Sequence, residues 1–167
     1  MEATLNPSSL DPDLTKFSRD QHEKQHQIIG LYERMGVKPT LTCTPYYLKQ
    51  PRQGSHLAWA ESLAVIYANS VLGAYTNREG SPNALAAALI GKTPDYGMHK
   101  TENHEPTVLV NVETELWNEA EFGALGIHLG KLLNEKTPFV NGLPKHDNDD
   151  LKQLGAAMAT AGMTTMF

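Results

Sequence analysis

The sequence predicts an α/β domain in which strands alternate with helices around a largely parallel sheet. Two observations support this fold class: apolar residues recur at helical spacing in several segments, and short β-branched runs lie between those segments. The chain has 167 residues, of which 40% are hydrophobic and 20% charged, a composition typical of one globular domain with a modest core. Ligands of such sheets usually bind beyond the carboxyl ends of the strands.

The first part of the chain predicts a lead-in, a helix and a strand. Residues 1–13 are rich in Asn, Pro, Ser and Asp, so we expect an irregular lead-in and a cut end of a longer chain. A helix is expected from Leu14, because apolar residues fall near helical spacing, and Gly36 is placed to end it. The β-branched run 40–44 predicts a short strand that delivers Cys43 to its end.

Two helices are expected in the middle of the chain, after a loop rich in Pro, Gln and Gly. The segment 57–72 is apolar nearly all round, which predicts a buried helix that Gly73 would stop. Pro82 suits a first helical turn, and residues 83–90 are rich in Ala. A second short helix is therefore expected to end at Gly91.

The last third of the chain predicts alternating strands and helices. The expected elements are a strand at 107–112, a helix at 118–133, a weaker strand at 138–140, a final helix capped by Asp147 or Asn148, and a strand at 164–167. The last strand is interrupted by the end of the chain, which indicates truncation.

Composition argues against several classes of function. The formal net charge is -5 and the basic residues are scattered, so we expect no nucleic-acid partner. No apolar stretch approaches the roughly 20 residues that cross a bilayer, so no membrane span is expected. The N-terminus does not resemble a secretory signal, and Cys43 has no partner for an internal disulfide. A reducing, cytoplasmic location is therefore expected.

One short motif matches the zinc-peptidase pattern H-E-x-x-H. His22 and His26 are four residues apart on a predicted helix, a spacing that can bind a metal. The flanking residues are polar, no third ligand is identifiable, and Ile29 stands where the extended motif requires Gly. A solvated helix face is therefore favoured over a zinc hydrolase.

The single cysteine has two interpretations from the residues alone. Cys43 could be a small buried side chain, which is the usual fate of a lone cysteine. It could also be a nucleophile or a metal ligand assisted by one of seven histidines.

A polar, glycine-containing turn follows the predicted buried helix at residues 69–80. Backbone amides near glycines, Asn donors and Arg78, which can pair bidentately with a carboxylate or a phosphate, suit a small acidic substrate. The alternative is a capped loop with Arg78 on the surface.

Several of these residues also carry a resemblance to a known family. The matching segments are, in order, 32–40, 43–47, 59–62, 69–74, 76–80, 91–94, Tyr96-Gly97 with His99, and 106–110. Together they span most of the chain, and they resemble the aconitase X family.

The resemblance implies that residues 14–167 form a partial aconitase X-like catalytic domain. Members of this family are hydro-lyases that dehydrate small hydroxy acids. Known substrates are mevalonate 5-phosphate in archaeal isoprenoid synthesis and cis-3-hydroxyproline in bacteria. The family uses an iron–sulfur centre, or a related iron centre, held by three cysteines. A separate small swivelling domain, which this chain lacks, supplies the catalytic base, so no catalytic residue is assigned here.

The resemblance also implies roles for particular residues. Cys43 would be one metal ligand of the iron–sulfur centre, which favours the ligand interpretation of this thiol. The substrate would be contacted by Glu61, Ser62, Asn69, Thr76, Asn77 and Arg78. Arg78 is the best candidate for neutralising the charge of the substrate carboxylate or phosphate.

Departures from the family pattern limit what this chain can do alone. Tyr75 stands where many relatives carry Arg or Lys, His104 stands where an Arg is common, and one cysteine cannot complete a cluster. We expect this chain to be a central fragment of a family member. Alone it should be inactive, and it should need a complementary chain or the small swivelling subunit. Apolar surface exposed around 57–72 would promote that association. The alternative is a non-catalytic remnant or subunit with the same fold.

Overall fold

A computed structural model describes residues 3–5 and 17–167 of the chain. Most of the predicted lead-in 1–13, together with Leu14, lies outside the described residues. In chain order the helices and strands are α1 (Arg19–Arg34), α2 (Pro45–Leu48), α3 (Ser62–Ser70), α4 (Ser81–Ile90), β1 (Val108–Asn111), α5 (Glu119–Leu133), β2 (Pro138–Asn141) and α6 (Asn148–Ala161). Two 3-10 turns, Gly97–His99 and Thr101–His104, lie between α4 and β1.

Helix α1 begins with a capping box. The Ser18 hydroxyl accepts a hydrogen bond from the backbone of Gln21 at 3.3 Å, and the Gln21 side chain accepts one from the backbone of Ser18 at 2.7 Å. These two bonds satisfy donors that the first turn leaves free. The helix ends at Arg34, and Gly36 adopts the left-handed conformation with φ 89°. The predicted end of the helix at Gly36 is confirmed.

The strand predicted at 40–44 is wrong. The segment is irregular, and Leu41 adopts a positive φ of 49°. The hydroxyl of Thr42 accepts a hydrogen bond from the Thr44 backbone at 3.1 Å, so a local side chain takes a donor that a strand would use in its ladder. The short helix α2 follows at Pro45, which suits a first helical turn, where the sequence predicted a loop.

Helix α3 is shorter than the helix predicted at 57–72. It begins at Ser62, because the preceding residues are extended and bonded to a distant segment. Leu57 donates its backbone N–H to Tyr75 at 2.8 Å, and the Trp59 carbonyl accepts from Glu79 at 3.0 Å. Helix periodicity in the sequence could not show this pairing, which joins parts of the chain about twenty residues apart.

Helix α3 is the most buried element of the fold. Its central residues, 64–69, are all buried, and α3 packs against α6. Ile66 joins Leu154 and Met158 in the main hydrophobic core. The expectation that segment 57–72 would expose a large apolar surface is therefore wrong, because α6 covers this helix.

Helix α4 confirms the prediction for 83–90. Pro82 lies in its first turn, and Gly91 follows it with a left-handed φ of 67°. Every residue of α4 remains at least partly exposed, and Leu89 and Ile90 are more than half exposed.

Strands β1 and β2 pair in parallel. Val108 lies opposite Pro138, and Asn111 lies opposite Asn141. Helix α5 connects the two strands, as parallel pairing requires. The strands predicted at 107–112 and 138–140 are confirmed within one residue at each end.

Helices α5 and α6 pack closely through glycines. A Cβ atom added at Gly130 would lie 2.6 Å from the carbonyl oxygen of Met158, and one added at Gly126 would collide with the carbonyl oxygen of Leu154. Only glycine permits this approach. Asn118 caps α5 and Asp147 caps α6, so both predicted helix starts are confirmed.

The strand predicted at 164–167 is also wrong. This segment is held by side chains rather than by a ladder of backbone bonds. The Thr164 hydroxyl donates to the Asn134 carbonyl at 2.7 Å, and the Phe167 N–H donates to the Ser70 hydroxyl at 3.0 Å. The segment therefore closes over α3 and the end of α5.

The predicted fold class is confirmed: the chain is α/β, with alternating elements and a parallel sheet. Among residues 3–5 and 17–167, none of the helices has the length and apolar character needed to span a membrane.

Candidate functional site

Two segments, 55–59 and 74–79, form the frame of the candidate site. They run parallel, with bridges between His56 and Tyr75 and between Trp59 and Arg78. Backbone bonds of 2.8 to 3.0 Å join them along their length. This pairing brings the predicted site residues of the second segment beside the start of α3.

Asn69 and Thr76 hold the second segment in place. The Asn69 amide accepts from the Thr76 N–H at 2.9 Å and donates to the carbonyl oxygens of Thr76 at 3.0 Å and Thr165 at 2.9 Å. Asn69 is 2% exposed and Thr76 is fully buried. The Thr76 hydroxyl donates to the Asn77 carbonyl at 2.8 Å and accepts from the Trp59 N–H at 3.1 Å. Both side chains thus have protein partners that fix the loop.

Asn77 positions the turn that carries His99. Its side-chain oxygen accepts from the Met98 N–H at 2.7 Å, and its nitrogen donates to the Tyr96 carbonyl at 3.2 Å. Gly97, with φ 63°, lies so close that an added Cβ would collide with the Asn77 oxygen. The glycine is required for this contact.

Arg78 is half-buried rather than on the surface. Its guanidinium donates to the carbonyl oxygens of Thr164 at 3.1 Å and Ala159 at 3.5 Å, near the end of α6. Such carbonyls are left free at a helix end, and a cation is favourable there. Burial lowers the pKa of Arg78, and its Nε is buried without a hydrogen-bond partner among the described residues.

Cys43, Glu61 and Ser62 lie near the start of α3. Cys43 is partly buried in the bend before α2, Glu61 precedes α3 as its N-cap residue, and Ser62 is the first helical residue. Burial, and secondly the negative charge of Glu61, raise the pKa of the Cys43 thiol. The fold therefore brings Cys43 and Glu61 close enough for their charges to interact. A bound cation would reverse this effect and favour the thiolate.

The residues of this chain do not complete an iron–sulfur centre. Such a cluster needs several thiolates, and the sequence contains only Cys43. In the part of the chain that the structure describes, no three His, Cys, Asp or Glu side chains lie together as a ligand group.

His22 and His26 do not form a zinc site within the described residues. His22 is buried and contacts the ring of Phe17, with ring centroids 6.1 Å apart, whereas His26 is exposed. Glu23 pairs instead with Arg19 at 3.1 Å. The expectation of a solvated face is correct for His26 and Glu23 and wrong for His22.

A group of four rings lies beside the predicted residues and was not assigned from the sequence. The ring of Tyr75 stacks on His56 and contacts His104, with centroids 5.0 and 4.5 Å apart. His56 in turn contacts His99, with Nδ1 atoms 2.9 Å apart. His99 belongs to a segment that resembled the family, but its pairing with His56 depends on the extended conformation of residues 55–59, where the sequence predicted the end of a loop and the start of a helix.

Besides Nε of Arg78, two further buried polar atoms in this region have no hydrogen-bond partner among the described residues. They are Nε2 of His99 and Oε1 of Glu79. Burial, and secondly His56, lower the pKa of His99, which favours its neutral form. Glu79 also borders a groove of about 350 Å³ whose walls include Asn83 and Lys92. Buried polar atoms without protein partners are positions where a water or ligand atom binds.

Comparison with known proteins gives consistent results over nearly the whole chain. Residues 1–102 match the family model "Aconitase X first domain", and residues 106–167 match "Aconitase X second domain". The chain is 45% identical to the phosphomevalonate dehydratase large subunit of Thermococcus kodakarensis over 98% of its own length, but covers 41% of that protein. It is 39% identical to the cis-3-hydroxy-L-proline dehydratase of Pseudomonas aeruginosa, over 81% of this chain and 24% of that protein.

A solved structure agrees with these relationships. The crystal structure of Thermococcus kodakaraensis aconitase X in its holo-form has a TM-score of 0.89 and 44% sequence identity to this chain. The match covers 98% of this chain and 41% of that one, so the chain spans about two fifths of the length of its relative. The resemblance inferred from the motifs is confirmed, and the chain belongs to the aconitase X family.

Proposed function

We propose that this chain is part of a hydro-lyase that removes water from a small hydroxy acid, of the mevalonate 5-phosphate or the cis-3-hydroxyproline type. The observation that carries the proposal is the 45% identity to a phosphomevalonate dehydratase large subunit over 98% of the chain. Both substrates carry a hydroxyl on the carbon β to a carboxylate. Their dehydration therefore requires removal of an α proton and departure of the β hydroxyl.

In this proposal the predicted site residues act in two groups. Glu61, Ser62 and Arg78 face the substrate, with Arg78 compensating its negative charge. Asn69, Thr76 and Asn77 hold the loop on which Arg78 lies, since their own polar groups are bonded to protein. The whole of residues 14–167 contributes to one catalytic domain. The bonds from Asn69 to Thr165 and from Arg78 to Thr164 support this, because they join the two regions matched by the family models.

We also propose that Cys43 is one ligand of an iron–sulfur centre whose other thiolates come from outside this chain. Its position beside Glu61, near the start of α3, is compatible with a ligand at the edge of the site. A reducing compartment is needed to keep such thiolates available, so we place the enzyme in the cytoplasm.

The partner in this proposal is a complementary polypeptide, with a small swivelling subunit that supplies the catalytic base. The relative from Thermococcus kodakarensis is named as a large subunit. Leu109 and Phe139 lie opposite each other on one face of the sheet and are more than half exposed. Apolar side chains paired on an open sheet face favour contact with another polypeptide.

A non-catalytic subunit with the same fold is the second candidate. Two facts favour it: the chain contains a single cysteine, and it covers 41% of the relative's length. A zinc hydrolase has weaker support, because His22 is buried and His26 is exposed.

A reconstituted enzyme separates these candidates. The chain would be co-produced anaerobically with the polypeptide that completes its relatives and with their small subunit, and then assayed with mevalonate 5-phosphate and cis-3-hydroxy-L-proline. The dehydratase proposal expects turnover of one substrate and its loss in Arg78→Gln, while Lys131→Gln, which removes an exposed cation on α5, keeps full activity. A stable assembly without turnover of either substrate would support the non-catalytic subunit.

A further inference from the structure

We propose that His56 and His99 form a proton relay that protonates the departing hydroxyl of the substrate. The inference deepens the proposed dehydratase function and rests on it. It concerns two histidines to which the resemblance gave no role.

The geometry connects solvent with a buried nitrogen. The Nδ1 atoms of His56 and His99 are 2.9 Å apart, which places one proton between two lone pairs. The ring of His56 is exposed, whereas His99 is 6% exposed. A proton taken up from solvent by His56 can therefore pass to His99 through this bond.

The buried end of the pair has the chemistry that a hydroxyl requires. Nε2 of His99 has no hydrogen-bond partner within residues 3–5 and 17–167, and neither does Oε1 of Glu79. The bond from Met98 to Asn77 joins the segments that carry these two atoms. A hydroxyl both donates and accepts hydrogen bonds, so it can donate to the carboxylate and accept from the imidazole N–H.

Atoms and electrons balance in this proton transfer. In the reacting state of this proposal His99 carries a proton on Nε2, and the proton of the bond between the two rings lies on Nδ1 of His56. The C–O bond breaks with its electron pair on oxygen, and the oxygen takes the Nε2 proton and leaves as water. Nδ1 of His99 takes the proton from Nδ1 of His56 in the same step, which leaves both rings neutral and the His99 proton on Nδ1. When the product leaves, water that enters the site returns a proton to Nε2 of His99, and the Nδ1 proton passes back to His56, which restores the starting state. The α proton leaves to a base outside this chain, and its C–H electron pair forms the double bond.

The surroundings of His99 favour its neutral form. Burial, His56 and His104 favour the neutral form of His99, while Glu79 and Asp95 favour its charged form, and the balance lowers the pKa of His99. Tyr75 stacks on the ring of His56. The neutral form of His99 is therefore favoured, and its Nδ1 lone pair can accept the proton of the bond to His56.

The link between the two rings can be tested on the chain alone. Imidazole ¹⁵N NMR would follow His99 through a pH titration in the unmodified chain and in His56→Phe, which keeps an aromatic ring but removes the nitrogen. We expect the Nδ1 signal of His99 and its titration to change, while the exposed control variant His128→Phe leaves both unchanged. Identical His99 spectra with and without His56 would overturn the relay.

The catalytic role is tested in the reconstituted dehydratase. His56→Ala and His99→Gln should each lower kcat by about 100-fold, within the range of general acid catalysis. Added imidazole should restore part of the activity of His56→Ala, because that position is open to solvent, and none to His99→Gln. If the enzyme is active and the variants keep their kcat, the relay is wrong and the proposed function stands. If the assembled enzyme dehydrates neither hydroxy acid, the proposed function fails and the relay fails with it.

Discussion

The side chain of Asn69 bonds to both backbone groups of Thr76, taking the place of a neighbouring strand. Its amide accepts from the Thr76 N–H at 2.9 Å and donates to the Thr76 carbonyl at 3.0 Å. A third bond reaches Thr165, 96 residues away in the sequence. One buried amide therefore determines the conformation of the loop and anchors the C-terminal segment to it.

Replacing the amide of Asn69 should destabilise the folded protein. Asn69→Leu would leave buried polar groups on Thr76 and Thr165 without partners, and we expect a loss of about 3 kcal/mol in the free energy of unfolding. Urea denaturation at neutral pH measures this. The control Asn141→Ala, which removes an exposed bond on the sheet, should change stability by less than about 0.5 kcal/mol. Equal losses in the two variants would contradict the proposed anchoring.

The close approach of α5 and α6 gives a second prediction. Gly130→Ala places a methyl group against the backbone of Met158 and should destabilise the protein by about 1–3 kcal/mol. Gly123 lies on the same helix, and a Cβ added there would meet no other atom within 4 Å. Gly123→Ala should therefore be neutral or stabilise the protein by up to about 1 kcal/mol. Thermal unfolding of the two variants compares them directly, and the same sign for both would refute the packing argument.

Cys43 should react slowly with alkylating reagents. Its pKa is raised by burial and by the charge of Glu61, so less thiolate is present at pH 8 than in a free cysteine. Glu61→Gln removes the smaller cause and should increase the rate of reaction with iodoacetamide by roughly threefold. Glu135→Gln, on the exposed turn after α5, is the matched control. A slower reaction in Glu61→Gln would contradict the predicted increase in rate and would show that Glu61 acts on the thiol in another way.

The raised pKa of Cys43 also predicts how the stability of the protein depends on pH. Because the folded pKa of Cys43 lies above the unfolded one, the folded chain holds the thiol proton more tightly. The resulting stabilisation is complete below the unfolded pKa and is lost as pH rises through the folded value. Cys43→Ser should therefore reduce the loss of stability between pH 8 and pH 10, as measured by urea unfolding at each pH.

Arg78 should hold the C-terminal segment. Arg78→Met would remove the donors to Thr164 and Ala159, and we expect faster hydrogen exchange for the amides of residues 162–167, by roughly tenfold. Arg78→Lys keeps the charge but not the two-carbonyl contact, so it should restore only part of the protection. Unchanged exchange in Arg78→Met would mean that Phe167 and its bond to Ser70 hold the segment without Arg78.

Local patterns in the sequence predicted the elements whose formation depends on local interactions. Helix α5 has its own cap at Asn118, and helix α4 has Pro82 and Gly91 at its ends, so both were predicted closely. Strand β1 has a β-branched run of its own. The failures at 40–44 and 164–167 have a different cause, since there side-chain bonds replace the ladder that β-branched residues usually indicate.

The candidate site was only partly predictable for the same reason. Asn77 and Arg78 were predicted as site residues from the resemblance to a family and from their polar, glycine-rich surroundings. The pairing of His56 with His99 was not identifiable, because it joins residues 43 positions apart and needs residues 55–59 to be extended. The sequence predicted a loop up to residue 56 and a helix from residue 57, so no paired segment was expected around His56. Contacts between distant segments can override local propensity in this way.

The bond between Asn69 and Thr165 also has a consequence for protein synthesis. The loop that carries Asn77 and Arg78 emerges from the ribosome about ninety residues before the segment that completes its anchoring, and contacts so distant in sequence form late. During that interval the polar side chains of the loop lack one of their supports. The loop thus reaches its final arrangement only near the end of translation of this region, so a nascent chain arrested before Thr165 should not yet hold it in place.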